Sequence, residues 1–205
     1  MNPYYWFCYN LIKLVGRIFF RLRWLHRDRM INHGPVILAA NHQSFLDPGF
    51  AGSASDRAIY FLARRTLLDG RFFGWLLPKL NVIPVDSESG KDRTALKALI
   101  RILRAGEGTL VFPEGQRSPD GKLQPAQPGL GLVIAKTLAP VVPIRIFGAY
   151  EAWPIHEKWP RPGRVTVVVG EPIYFTEQDL EPGRKDLYQR LSQRVMDAIA
   201  ALRLE

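Results

Sequence analysis

From residue 34 onward the chain alternates between short apolar runs and helical patterns. Continuous apolar runs recur at 35–40, 58–62, 82–85, 109–112, 141–147 and 164–169. Runs of this length, without strict alternation, suit strands buried on both faces. Between several of them the apolar positions fall at helical spacing, at 93–104, 129–138 and finally 184–204. Buried strands alternating with helices predict an α/β protein, its central sheet flanked by helices on both faces. Residues 164–169 and 172–175 flank Gly170-Glu171 with no helix between them, so the sheet is predicted to be mixed. The Pro- and Gly-rich stretch 154–163 reads as a surface loop. No internal repeat or linker marks a second domain, and 205 residues suffice for one core.

The first 30 residues follow another pattern. Asn10, Lys13, Arg17 and Arg21 recur at spacings of three and four, which places them in one polar stripe on a helix. Nearly everything else from Tyr4 to Phe20 is apolar or aromatic. A membrane-spanning helix needs about 20 mainly apolar residues, and Lys13 and Arg17 interrupt that run. An amphipathic helix lying in the bilayer interface fits better, its aromatic side chains among lipid tails and its cations among headgroups. The alternative is a helix that packs on the core or on a second copy. The expected division is a membrane-associating segment at 1–28 and a catalytic domain at 29–205.

Charge supports that division. The net charge is +9, which favours nucleic acid, anionic lipid or phosphorylated partners. Residues 1–30 hold six cations against Asp28 alone, more than half of the excess. Those cations are interleaved with bulky apolar residues, and no nucleic-acid-binding motif is present, so nucleic acid is not an expected partner. Cys8 is the single cysteine, which rules out an intramolecular disulfide.

In α/β sheets ligands collect beyond the carboxyl ends of strands, and three polar segments are expected there. His42 follows the first run, and Asp47 precedes Pro48. Asp47 is a plausible helix N-cap whose carboxylate also reaches His42. A carboxylate on one imidazole nitrogen fixes the tautomer and leaves the other nitrogen basic. Ser44 is close by, but no nucleophile elbow surrounds it. The simplest chemistry has His42 activating a hydroxyl of the substrate. The other histidines, His26, His33 and His156, do not complete a metal-ligand spacing with it. Arg64 and Arg65 follow the second run. After the fourth run, Glu114 either pairs with Arg117 or accepts backbone N–H groups, Gly115 permits close backbone approach, and Arg117 suits a phosphate.

These segments resemble the glycerolipid acyltransferase family, which includes 1-acyl-sn-glycerol-3-phosphate acyltransferases. Asn41-His42-Gln43-Ser44-Phe45-Leu46-Asp47 is similar to the family's His-x4-Asp motif. Phe112-Pro113-Glu114-Gly115-Gln116-Arg117-Ser118 is similar to its Phe-Pro-Glu-Gly-Thr-Arg-Ser motif, with Gln116 at the Thr position. Val141-Val142-Pro143-Ile144 is similar to its last block, and the resemblance covers roughly 34–147. It implies that His42 deprotonates an acceptor hydroxyl while Asp47 orients it. It also implies that Arg64, Arg65 and Arg117 bind the acceptor's phosphate, with Glu114 and Gly115 shaping the turn. The implied donor is acyl-CoA or acyl-carrier protein, the acceptor a lysophospholipid, and no metal or organic cofactor is expected. The expected location is the cytoplasmic face of a membrane. One departure stands out, because Ser87 occupies the place where the family usually has an Arg after Ile83-Pro84-Val85-Asp86. That loosens the choice of acceptor, leaving other lyso-lipids such as a lyso-ornithine lipid, or a catalytically inactive membrane-binding relative.

Overall fold

The computed structural model describes residues 1–85, 93–180 and 186–204. Seven strands form one sheet: β1 (Arg23–Leu25), β2 (Val36–Ala40), β3 (Ile59–Arg64), β4 (Val82–Val85), β5 (Gly108–Val111), β6 (Val141–Phe147) and β7 (Thr166–Val169). Their order is β1-β7-β6-β2-β5-β3-β4. Every pairing is parallel except β6 with β7. The sheet is therefore mixed, but the antiparallel step lies one strand earlier than the sequence pattern placed it. Residues 172–175 contribute only a single bridge, Ile173 to Val141.

Strand β2 shows why continuous apolar runs became central strands. Val36, Leu38 and Ala40 face one core cluster, and Ile37 and Ala39 face the other. Among the described residues there are seven α-helices: α1 (Pro3–Phe20), α2 (Asp47–Gly52), α3 (Arg71–Leu76), α4 (Arg93–Arg104), α5 (Pro128–Thr137), α6 (Ala149–Ala152) and α7 (Leu187–Ala201). Phe20 and Phe50, from α1 and α2, join the first cluster. Leu99 and Leu103 of α4, Val133 and Ile134 of α5, and Val195 and Ile199 of α7 build the second. Gly131 lets α5 and α7 touch, because a Cβ there would run into the Tyr188 carbonyl. Pro143 sits inside β6, yet its carbonyl accepts from Gly170 just beyond the last β7 pair. Its missing N–H thus faces a place where the ladder has already ended.

Residues of the first 28 pack on and pair with the rest of the chain. Helix α1 is capped by Asn2, whose side chain accepts from the Tyr5 N–H, and it ends at Arg21 in the left-handed region. Tyr5, Gly16 and Phe20 are buried against the rest of the molecule. The Tyr5 hydroxyl accepts from the Ile59 N–H at 3.0 Å, and burial pushes its pKa up to about 12. Next in the chain, β1 joins the sheet beside β7. The N-terminal segment is thus an integral layer of the domain. Its other side is unusual: Trp6, Phe7, Leu11, Leu14, Ile18 and Phe19 are exposed. Lys13 and Arg17 lie between the two sides, over the Trp24 ring. No helix among the described residues is long and apolar enough to cross a membrane. Ser87 lies outside the described residues, as does the expected helix start at Arg184.

Candidate active site

Strands β2, β3 and β5 run parallel, so the segments that follow them meet at one edge of the sheet. Residues 41–47 form the first turn there. Asn41 clamps Ile146 of β6, donating from Nδ2 to its carbonyl at 3.1 Å and accepting from its N–H at 2.7 Å. Gln43 donates to the same carbonyl at 2.9 Å. Asp47 is fully buried. Its Oδ2 accepts from the backbone N–H groups of Gln43 and Ser44, both at 2.6 Å, and lies 2.9 Å from His42 Nδ1. Asp47 is therefore not the N-cap that its place before Pro48 suggested. It occupies the first turn of α2, makes no capping bond, and folds its carboxylate back over the turn. The helix start and the imidazole competed for one carboxylate, and the imidazole with two N–H donors prevailed.

The second turn, residues 112–118, holds His42 from the other side. Glu114 Oε1 accepts from the His42 N–H at 2.7 Å, and the Ser118 N–H donates to the His42 carbonyl at 2.8 Å. The Phe112 ring stacks on the imidazole, 3.9 Å between centroids and 15° apart. Glu114 is 2% exposed, and its second oxygen accepts from the Gln124 N–H at 2.9 Å. Of the two partners the sequence allowed for Glu114, the structure selects backbone donors. Burial raises its pKa to about 7, against the lowering effect of the two N–H donors and with a further push from the Asp47 charge. Gly115 turns the chain at φ 72°, a conformation that favours glycine, and its N–H donates to the Phe112 carbonyl at 3.0 Å.

Both turns open on a cavity of about 380 Å³. His42 lines it together with Leu62, Leu96, Leu99, Leu110 and Leu130. Arg64, Gly115 and Arg117 also face it. The Arg117 guanidinium lies 3.7 Å from the centre of the Phe45 ring, a cation–π contact at the rim. Arg65 is exposed at the start of a 3-10 turn, Arg65–Leu68, and is not among the cavity's lining residues. Ser44 is fully buried, donating to the Trp153 carbonyl at 2.8 Å and accepting from the Leu46 N–H at 3.2 Å. It holds the turn, so Ser44 is not placed as a nucleophile. With Nδ1 engaged by Asp47, Nε2 is the nitrogen of His42 left to take a proton. The arrangement is a histidine held by a buried carboxylate beside a largely apolar cavity that Arg64 and Arg117 also line.

Sequence reasoning paired His42 with Asp47 but missed the residues that hold the pair. Asn41 and Gln43 carried a signal, since polar amides at the end of a buried strand must find partners. Phe112 carried none, because stacking on a ring 70 positions earlier has no local signature.

Residues 23–147 match the sequence model of the family described as Acyltransferase. The match spans more than half of the chain and contains both turns. This chain belongs to the acyltransferase family. Among its relatives, a 1-acyl-sn-glycerol-3-phosphate acyltransferase of Pseudomonas aeruginosa is 30% identical over 197 residues, 94% of this chain and 73% of that one. A chloroplastic 1-acyl-sn-glycerol-3-phosphate acyltransferase of Brassica napus is 31% identical over 148 residues, 71% of this family member. The chain spans less than half the length of that Brassica relative, 43%. The crystal structure of the 1-acyl-sn-glycerophosphate acyltransferase PlsC from Thermotoga maritima shares the fold. It aligns with a TM-score of 0.75 at 24% identity, over 98% of this chain and 81% of that one.

Proposed function

We propose that this acyltransferase-family chain moves a fatty acyl group from a thioester to the free hydroxyl of a lysophospholipid, 1-acyl-sn-glycerol 3-phosphate giving phosphatidic acid. The observation that carries the reading is the His42–Asp47 contact in the wall of an apolar cavity. His42 Nε2 takes the proton of the acceptor hydroxyl as its oxygen attacks the thioester carbonyl carbon. Asp47 holds the imidazole and offsets the charge it gains. The tetrahedral intermediate then expels the thiolate of CoA or of acyl-carrier protein, which recovers the proton from His42. The reaction so written balances without a metal or an organic cofactor. The leucine-lined cavity suits an acyl chain, and Arg64 and Arg117 at its rim suit the acceptor's phosphate. Glu114 serves by holding the turn rather than by touching substrate, and Arg65 serves as a surface cation.

The outward face of α1 is assigned to the surface of an anionic bilayer on its cytoplasmic side. Tyr4, Phe7, Leu11, Leu14 and Ile18 recur at spacings of three and four, and all are exposed. Lys13 and Arg17 flank that stripe, where lipid phosphates would sit. Names of relatives support the acceptor: those from Pseudomonas and Brassica are called 1-acyl-sn-glycerol-3-phosphate acyltransferases.

The deciding experiment follows thiol release from acyl-CoA and acyl-carrier protein across a panel of lyso-lipid acceptors. Release with 1-acyl-sn-glycerol 3-phosphate, lost in His42→Ala by roughly 10²–10⁴-fold, is the expected result. Turnover only with a lyso-lipid that lacks the phosphate would move the assignment to the acceptor class that Ser87 raises. Undiminished turnover in His42→Ala would end the mechanism.

A further inference from the structure

Helix α3 and the turn before it carry an exposed aromatic cluster that the chemistry above does not use. Phe72, Phe73 and Trp75 are each more than half exposed, at 63%, 53% and 51%. Phe72 and Phe73 contact each other edge-on, 5.5 Å between centroids. A solvent-exposed cluster of this size marks an interaction site.

Two contacts show what it belongs to. At one end Trp75 meets Tyr4 of α1 edge-on at 5.5 Å. Lys79 sits over both rings, 4.2 and 4.4 Å from their centres, and its carbonyl accepts from the Asn2 side chain at 2.8 Å. The cluster thus continues the outward stripe of α1. At the other end, Leu67 is 50% exposed and lines the cavity together with Thr66 and Arg64. One apolar path therefore runs from α1, over α3, to the rim of the acyl cavity. Residues 64–79 carry four cations, Arg64, Arg65, Arg71 and Lys79, and one acid, Asp69, a balance that suits anionic headgroups.

We propose that residues 67–75 are a second lipid-inserted element, which seats the rim of the cavity in the bilayer surface so that an acyl chain passes from membrane to cavity without crossing water. This rests on the membrane reading of α1. The aromatic side chains enter among lipid tails, the cations stay among phosphates, and Leu67 bridges lipid and cavity. The physical gain lies in transfer: a chain leaving the bilayer keeps apolar surroundings throughout.

The test uses the full chain with Cys8→Ser and an environment-sensitive fluorophore on Phe72→Cys, added to vesicles of phosphatidylcholine with phosphatidylglycerol. A blue shift on vesicle addition is expected, matching that of a parallel probe on Leu14→Cys in α1. If the α1 probe shifts and the Phe72→Cys probe does not, α1 alone holds the membrane and this proposal is overturned. If neither shifts, the membrane reading itself falls. A kinetic arm separates insertion from mere proximity. Phe72→Ser with Phe73→Ser is expected to raise KM roughly tenfold for a long-chain acceptor in vesicles, while a short-chain, monomerically dispersed acceptor is turned over at the wild-type kcat and KM. A KM for the long-chain acceptor unchanged from the wild type would also overturn it.

Discussion

The two walls of the cavity are built on opposite plans. On one side, residues 41–47 and 112–118 bury Asn41, Asp47 and Glu114 to within 2% exposure and tie each of them to backbone. On the other, β3 ends at exposed Arg64, and the chain continues through exposed Arg65, Leu67, Phe72, Phe73 and Trp75. The first wall fixes the His42 imidazole in place, the kind of preorganisation an electrostatic site needs. The second leaves apolar surface in water, which a protein tolerates only where something else is meant to cover it. Rigidity and openness are thus divided between the walls, and each can be broken without the other.

The largest break is in the buried wall. Asp47→Asn changes little in shape. All three contacts of the carboxylate converge on Oδ2, and Oδ1 has no hydrogen-bond partner among the described residues. An asparagine with its oxygen at the Oδ2 place keeps the two backbone donors and loses the charge that stabilises a protonated His42. We expect kcat to fall by roughly 10²–10⁴-fold, as for a buried Asp behind a catalytic His elsewhere. The melting temperature should stay within a few degrees of wild type. A kcat within a factor of about three would show that the carboxylate orients without stabilising.

This pair also shows what was legible beforehand. His42 and Asp47 were found because both sit in one local segment after an apolar run. The central strands were legible for the same local reason, being continuous runs of Val, Ile, Leu and Ala. Strand β1 was not, since Arg23-Trp24-Leu25 is three residues long and carries a charge. Its strand character comes from pairing with β7, some 140 residues later. Glu114 illustrates the same limit at the site. Whether it would pair with Arg117 or with backbone donors depended on where residue 42 lay in space, 72 positions away. The aromatic residues at 72, 73 and 75 were open to view, but only exposure distinguishes an interaction surface from a core helix.

The next break is in the open wall, on α1. Leu14 and Ile18 are 56% and 63% exposed, so Leu14→Ser with Ile18→Ser removes apolar surface without opening the core. Partition onto anionic vesicles is expected to drop by roughly 30-fold, the equivalent of burying part of each side chain in lipid. Flotation with vesicles measures it. Unchanged flotation alongside unchanged turnover would assign the stripe to a protein contact. Thermal stability should not move, since both side chains are exposed.

Glu114→Gln probes the buried wall more gently. The amide offers one acceptor where the carboxylate offers two, so either the His42 or the Gln124 N–H loses its partner. A fall in kcat of about tenfold with KM nearly unchanged is expected, in line with one lost charge-assisted hydrogen bond. The pH dependence carries the sharper signature. The folded-state pKa of Glu114 lies at about 7, above the ordinary 4.5. Folding therefore favours its protonated form, and the protein loses stability from this group as pH rises from about 4.5 to about 7. The ionised form, present above about 7, is the one that accepts both N–H groups. The ratio of wild-type to Glu114→Gln kcat should thus be largest above about pH 8 and approach one below about pH 6. Taking the ratio cancels any titration common to both enzymes. A ratio independent of pH would mean that Glu114 supports the turn without its charge. Melting curves give a second check, since the variant should lack the stability loss between about pH 4.5 and about pH 7.

The smallest expected effect lies where the walls meet. Arg64 and Arg65 are adjacent in sequence and equal in charge, yet only Arg64 lines the cavity. If the rim cations bind the acceptor's phosphate, Arg64→Ala should raise its KM by roughly fivefold, the cost of a partly solvated charge contact. Arg65→Ala should change KM by less than about twofold in the same assay. An acceptor without phosphate should be indifferent to both. Equal effects of the two substitutions would mean that the phosphate is met by the general field of a basic surface, and the open wall would then contribute attraction but no recognition. Unequal effects in the expected order would give it one specific ligand, placed by the last residue of β3 at the point where the ordered sheet gives way to the exposed turn.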